Sequence, residues 1–166
     1  MGKNYEITPA KNISAIVAGE PISAKIIEIA NEEFEDLAII KVESLPPNAT
    51  PVNLGDSSKI KTGDTIYAIG NSYGEGLCIT QGVVSDNLRN VSGHMRIMTD
   101  AALNPGNSGC PYFNTNGKVV GVHVAGAMFG QAELGGARTK VAGMKYGIPI
   151  NMAKILLKKR AIKYFE

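Results

Sequence analysis

The chain contains no tryptophan, only two cysteines and two histidines, and no apolar run near the ~18 residues that a membrane-spanning helix requires. Cys78 and Cys110 are too few for a disulfide framework and too far apart for a CxxC metal pair, so both are expected as reduced core residues. Net charge is also scarce. Seventeen basic residues against 15 acidic ones leave a formal +2, too weak a field to gather a polyanion, so nucleic acid is not expected as a partner. The opening MGKNYEITPAK lacks the apolar centre of a signal peptide, and no membrane association is expected. These features leave the compartment open. The one basic run, 158–160, reads as the solvated, positive end of a terminal helix.

What the chain does have is turn chemistry. Nineteen glycines and 44% hydrophobic residues in 166 positions suit one compact unit, or two small halves packed together. Short β-rich runs at 13–18, 22–30, 37–42, 65–69, 78–84, 95–99, 118–124 and 146–150 alternate with turn signals such as Gly19-Glu20-Pro21 and Pro46-Pro47-Asn48. That spacing predicts an all-β barrel or sandwich. Residues 1–52 would form one β half, 53–63 a connection, and 64–150 a second half. Asn151 is positioned to cap a closing helix over 151–166, with Met152, Ile155, Leu156 and Ala161 on its packed face and Lys154, Lys158 and Lys159 in water.

The most informative stretch is Asn104-Pro105-Gly106-Asn107-Ser108-Gly109-Cys110. An attacking hydroxyl must stand clear of its own backbone, with amides beside it aimed at the oxygen that becomes negative, and a serine between glycines in a tight turn meets both needs. Ser108 is therefore the candidate nucleophile. A serine hydroxyl is weak at neutral pH, so a base and an orienting carboxylate are required as well. Asp36, which opens the apolar run 37–42, is the candidate carboxylate.

The pieces DLAIIKVE, LGDSSKIKTGDTIYAIGNSYG, ITQGVVS, TDAALNPGNSG and YGIPINMAK resemble, in that order, the Deg/HtrA branch of the chymotrypsin-like serine proteases. GNSGCPYF followed by GVHVAG is also similar to viral chymotrypsin-like proteases and bacterial glutamyl endopeptidases. The resemblance implies a chymotrypsin-like double β-barrel, its first barrel shortened at the amino end, followed by a C-terminal helix. It implies peptide-bond hydrolysis with Ser108 as nucleophile, Asp36 as triad acid and the backbone at Gly106, Asn107 and Ser108 as oxyanion hole. Val124-Ala125-Gly126 would be the edge strand that pairs with an extended peptide or protein substrate. No metal or cofactor is needed by such a mechanism.

The family's base is a histidine upstream of the triad aspartate, and neither His94 nor His123 precedes Asp36. By the matching strands the catalytic histidine would fall at or before Met1. Three explanations compete: a fragment, a separate chain that carries the missing piece, or a relative that has abandoned catalysis and binds extended peptides. His94 sits at the end of a polar stretch, 86–93, and reads as a solvated loop residue. Loss of a general base removes about 10²–10⁴-fold in rate, so weak or no cleavage is expected of this chain. A barrel with open edges would also favour self-association.

For the specificity pocket, the family places Ala102 at the base, which argues against lysine or arginine; Asp100 reads as structural. His123 would be a neutral donor suited to glutamine or glutamate, as in the viral and glutamyl enzymes. Leu103 stands where those enzymes carry threonine, and a small apolar residue is the competing preference. Cys110 reads as packing.

Overall fold

The computed structural model describes residues 10, 12–30, 36–91, 93–126, 131–134, 137–140 and 144–166. Three antiparallel strands come first: β1 (Ile13–Val17), β2 (Glu20–Ile29) and β3 (Ala38–Val42), in that order across the sheet. Val17 pairs with Glu20, so Ala18 and Gly19 alone make the turn. Both have positive φ, +53° and +89°, the geometry whose twist matches that of the flanking strands. The turn thus lies one residue earlier than Gly19-Glu20-Pro21 suggests.

A closed barrel follows, built from β4 (Thr65–Gly70), β5 (Cys78–Val91), β6 (His94–Thr99), β7 (Pro111–Asn114), β8 (Val119–Gly126) and β11 (Lys145–Pro149) in the order β11-β6-β5-β4-β7-β8. A two-stranded ribbon, β9 (Gln131–Leu134) with β10 (Ala137–Lys140), lies between β8 and β11 in sequence. The stretch 86–93, expected as a polar loop, is instead strand to Val91, with Val91 opposite His94. Its polarity has a plain cause: Leu88 to Asn90 are exposed, so this arm keeps its ladder without facing the core.

The barrel interior holds Ile66, Val84, Ile97, Tyr112, Val120 and Ile148, all at 1% exposure or less. Burying aliphatic side chains of this size stabilises by about 1.5–3 kcal/mol each. Tyr112 decides the packing around it. A Cβ at Gly147 would lie 2.3 Å from the Tyr112 ring and one at Gly121 3.1 Å from it, so one glycine on β8 and one on β11 make room for the phenol.

The closing helix, α1 (Ile150–Lys159), departs from expectation in three ways. Pro149, not Asn151, occupies the cap position, and no side chain caps the helix. Asn151 works across the fold instead. Its Nδ2 donates to Asp56 Oδ1 (2.9 Å), its N–H to Ser57 Oγ (3.2 Å), and its Oδ1 accepts from Ser57 N–H (3.3 Å). The second departure is Ile155, which is 61% exposed, with Ala161 beyond the helix at φ +53°. The third is Lys154, expected in water, which donates to Glu166 (2.8 Å) and lies over the Tyr164 ring. Hydrogen bonds from Ser58 and Asn151 hold the Asp56 carboxyl well below the usual carboxylate range.

The helix also ties in the first sheet. Glu28, 7% exposed on β2, takes a hydrogen bond from Lys159 (2.7 Å) and another from Arg160. These bonds lower its pKa and offset the cost of setting a carboxylate against protein.

Gly147→Ala tests the packing around Tyr112: forcing a methyl into the ring is expected to cost about 1–3 kcal/mol, measured as a lower denaturation midpoint with an unchanged m-value.

Candidate active site

The turn 104–110 joins the barrel at the mouth between β7 and β8. Gly109 N–H donates to His123 O (2.7 Å) and His123 N–H to Cys110 O (2.8 Å), which fastens the turn's exit to β8. Within the turn, Asn107 N–H donates to Asn104 O (3.1 Å) and Cys110 N–H to Asn107 O (2.9 Å). Gly106 and Gly109 adopt φ +100° and +86°, values a side chain would strain. Among the described residues, the N–H groups of Gly106 and Ser108 make no hydrogen bond. Asn107 N–H, by contrast, is already committed to the turn, so two free amides remain beside the serine.

Ser108 is exposed, and its hydroxyl donates to Val124 O at 3.3 Å. Asn107 is 1% exposed and its Nδ2 donates to Ser72 Oγ (2.9 Å). The loop after β4 thus braces the turn, and Tyr73 N–H adds a bond to Pro105 O (2.8 Å).

On one side Ala125 and Gly126 pair with Tyr146 and Lys145 of β11. Pairing of β8 with β7 ends at Val122, and His123 is the last residue tied to the turn. Beyond it, among the described residues, no strand lies on that edge of Val124, Ala125 and Gly126.

The pocket residues divide. Ala102 is exposed, whereas Leu103 is 2% exposed and belongs to the barrel core with Cys110 and Tyr112. Asp100 accepts from Val83 N–H (2.7 Å), the structural role expected of it. Cys110 is buried as foreseen, but Cys78 is exposed; both thiols are free. Asp36 lies at the bend before β3, exposed and without a hydrogen bond among the described residues. It belongs to the first sheet, Ser108 to the barrel. His94 opens β6 at the tip of the β5–β6 hairpin.

His123 is 3% exposed, and its Nδ1 lies 2.7 Å from the Tyr112 hydroxyl. Burial pushes its pKa down to about 4, opposed by a backbone hydrogen bond at Tyr146, with the Lys145 charge a smaller depressing effect. Burial also raises the Tyr112 phenol, so the pair is neutral at pH 7. Tyr112 and Ser72 were not singled out by the sequence reading. Ser72 stands in the turn GNSYG, and a serine in a turn carries no sign of its partner.

Because the buried ring resists protonation while an unfolded histidine titrates near 6.5, the unfolded state binds more protons between about pH 6.5 and about 4. The stability that neutral His123 contributes is therefore complete above that window and lost as pH falls through it. An NMR titration of the His123 ring is expected to show a midpoint near 4. A midpoint at the ordinary value would mean a solvated ring.

Residues 3–122 match the trypsin-like peptidase domain. The chain is 34% identical over 163 residues to the serine protease Do-like HtrA of Bacillus subtilis (strain 168), covering 91% of this chain and 33% of that protein. It is 33% identical over 160 residues to the periplasmic pH-dependent serine endoprotease DegQ of Escherichia coli (strain K12), covering 92% of this chain and 32% of that protein. Among solved structures, the HtrA-type protease AlgW with decapeptide superposes with a TM-score of 0.73 at 32% identity, covering 90% of this chain and 44% of AlgW. The chain spans about a third of the length of the curated relatives named here. The mostly β fold, the exposed serine in its glycine turn and these matches lead to one statement: the chain belongs to the trypsin-like peptidase family, with serine proteases of the HtrA type as its relatives.

Proposed function

We propose that this chain acts as a serine endopeptidase domain in which Ser108 is the nucleophile and Asp36 the triad acid. The observation that carries this reading is the division of amides in the turn: Asn107 N–H is spent on Asn104 O, while those of Gly106 and Ser108 are left over beside an exposed hydroxyl. Two such donors stabilise the oxyanion of a tetrahedral intermediate, and losing one typically costs about 3 kcal/mol. Val124 to Gly126 binds the substrate as an added strand. The partner is an extended peptide or protein segment, and the reaction uses no metal or cofactor.

The base is the weak point. Residues 1–166 hold no histidine before Asp36, and a triad without its imidazole loses about 10²–10⁴-fold in rate. The chain by itself therefore binds peptide and cleaves it weakly or not at all. A peptide-binding role without catalysis is the second reading, supported by the free edge of β8. For the pocket, His123 favours the small apolar preference: its Nδ1 is held by Tyr112 and its ring is bonded to the Tyr146 backbone, which leaves little to offer glutamine or glutamate. Self-association belongs to this proposal too, through the outer edges of β1 and β3, which pair with no strand among the described residues.

A fluorogenic peptide ending in a small apolar residue tests the reading. Residues 1–166 are expected to turn it over no faster than their Ser108→Ala variant, while both bind it alike. Rapid turnover by the unaltered chain, abolished in Ser108→Ala, would sink the claim of weak activity; failure to bind any extended peptide would sink the protease reading.

A further inference from the structure

The loop between β4 and β5 is more than a connection, because it presses directly on the turn that carries Ser108. A Cβ at Gly106 would lie 2.4 Å from Asn71 O and 2.9 Å from Tyr73 N, so the two backbones are in contact with no side chain between them. The loop itself is held open by Asn71 Oδ1, which accepts from Gly76 N–H (2.7 Å), and by Tyr73 at φ +56°. Below the turn, a Cβ at Gly70 would lie 2.3 Å from Asn107 Oδ1, so the Asn107 carboxamide is seated on bare backbone at the end of β4.

Four polar groups run in one direction through this contact. Asn107 Nδ2 donates to Ser72 Oγ at 2.9 Å. Ser72 Oγ lies 3.8 Å from Cys78 Sγ, and Cys78 Sγ–H points to Gly70 O at 3.5 Å. With the thiol proton directed to Gly70 O, the hydroxyl proton of Ser72 is the one left to face the sulfur. With that arrangement Ser72 accepts from Asn107 and donates onward, since one hydroxyl does both. Asn107 is the residue between the two free amides. Ser108 N–H shares a peptide plane with Asn107 O, which accepts from Cys110 N–H (2.9 Å), and Gly106 N–H shares one with Pro105 O, which accepts from Tyr73 N–H (2.8 Å), so the seat of the Asn107 carboxamide sets how the two planes meet.

We infer that Ser72 is a positioning residue for the oxyanion hole: by holding the Asn107 carboxamide, its hydroxyl fixes the direction of the Gly106 and Ser108 amides. This rests on the serine-endopeptidase reading for its chemical meaning, but its geometric content can be measured without turnover. Ser72 makes no hydrogen bond to Ser108; its side-chain partners are Asn107 and Cys78. It acts through Asn107, and the loop that carries it reports on the turn through Tyr73 N–H as well.

The test uses the chain of residues 1–166 with Ser72→Ala and Ser72→Thr, both checked by thermal melt. Backbone N–H residual dipolar couplings report bond directions, and those of Gly106 and Ser108 are expected to change in Ser72→Ala, to return in Ser72→Thr, and to stay constant in β5, β6 and β11 of both. Unchanged couplings at Gly106 and Ser108 in Ser72→Ala overturn the inference. So does a change of equal size throughout the barrel, which would mean a purely structural serine. In parallel, binding of an extended peptide is expected to be the same for the unaltered chain and Ser72→Ala, because Ser72 acts on the turn and not on the free edge of β8. If the unaltered chain binds no extended peptide, the endopeptidase reading falls, and the couplings still decide whether Ser72 aims the two amides.

Discussion

The structure depends on how a seven-residue turn is fastened at both ends. On one side Gly109 N–H and His123 N–H close a two-bond ladder between the turn and β8. On the other, the loop after β4 meets it through Pro105 O, the Gly106 backbone and the Asn107 side chain. Between these clamps the turn has two internal bonds, Asn107 N–H to Asn104 O and Cys110 N–H to Asn107 O, and the N–H groups of Gly106 and Ser108 have no partner among the described residues. An unpaired backbone donor is costly when sealed from water. These two sit beside an exposed hydroxyl, where solvent or an oxyanion can satisfy them. Preorganised donors of this kind need no rearrangement when charge develops, which is where their catalytic value comes from.

The rest of the barrel keeps that clamp rigid. Tyr112 packs on Gly121 and Gly147, and its hydroxyl holds His123 from inside, so β7, β8 and β11 are locked around one ring. The same residue thereby fixes the rung that carries Gly109. At the opposite pole, Asn151 fastens the start of α1 to the connection at Asp56 and Ser57. Glu28 then joins the helix end to the first sheet through Lys159 and Arg160. The first sheet thus reaches the barrel through ion pairs at the surface of α1, a softer attachment than the hydrocarbon contacts inside the barrel.

The sequence made some of this legible and not the rest, for physical reasons. Apolar runs bounded by glycine and proline located β2, β3, β4, β6, β8 and β11 to within a residue or two; the barrel strands among them have one covered face, while β3 shows through the run Ala38-Ile39-Ile40 although it buries no side chain fully. Pro111–Asn114 escaped notice because a four-residue strand is too short to show alternation, and Leu88 to Asn90 because an exposed hairpin arm carries no hydrophobic period. The glycine-flanked Ser108 could be read because its turn requires those glycines. Asn151 misled for the opposite reason: an amide before a helical pattern signals a cap, yet here its hydrogen bonds span 94 and 95 residues of sequence, which no local rule can see. Cys78, expected inside, lies at the open end of β5 beside Ser72.

Neither imidazole of residues 1–166 can substitute for a triad base, and the reasons differ. General-base catalysis works best when the base has a pKa near the working pH. His123 titrates near 4, so at pH 7 it is a poor proton acceptor by about three units. Raising that value would require solvating the ring, which means breaking its contact with Tyr112 and loosening the same residue whose carbonyl holds Gly109. His94 stands opposite Val91 at the tip of the β5–β6 hairpin and makes no hydrogen bond to the turn among the described residues. The bonds that fasten the turn to β8 therefore run through the backbone of the same buried, neutral His123 that would have to be solvated to act as a base.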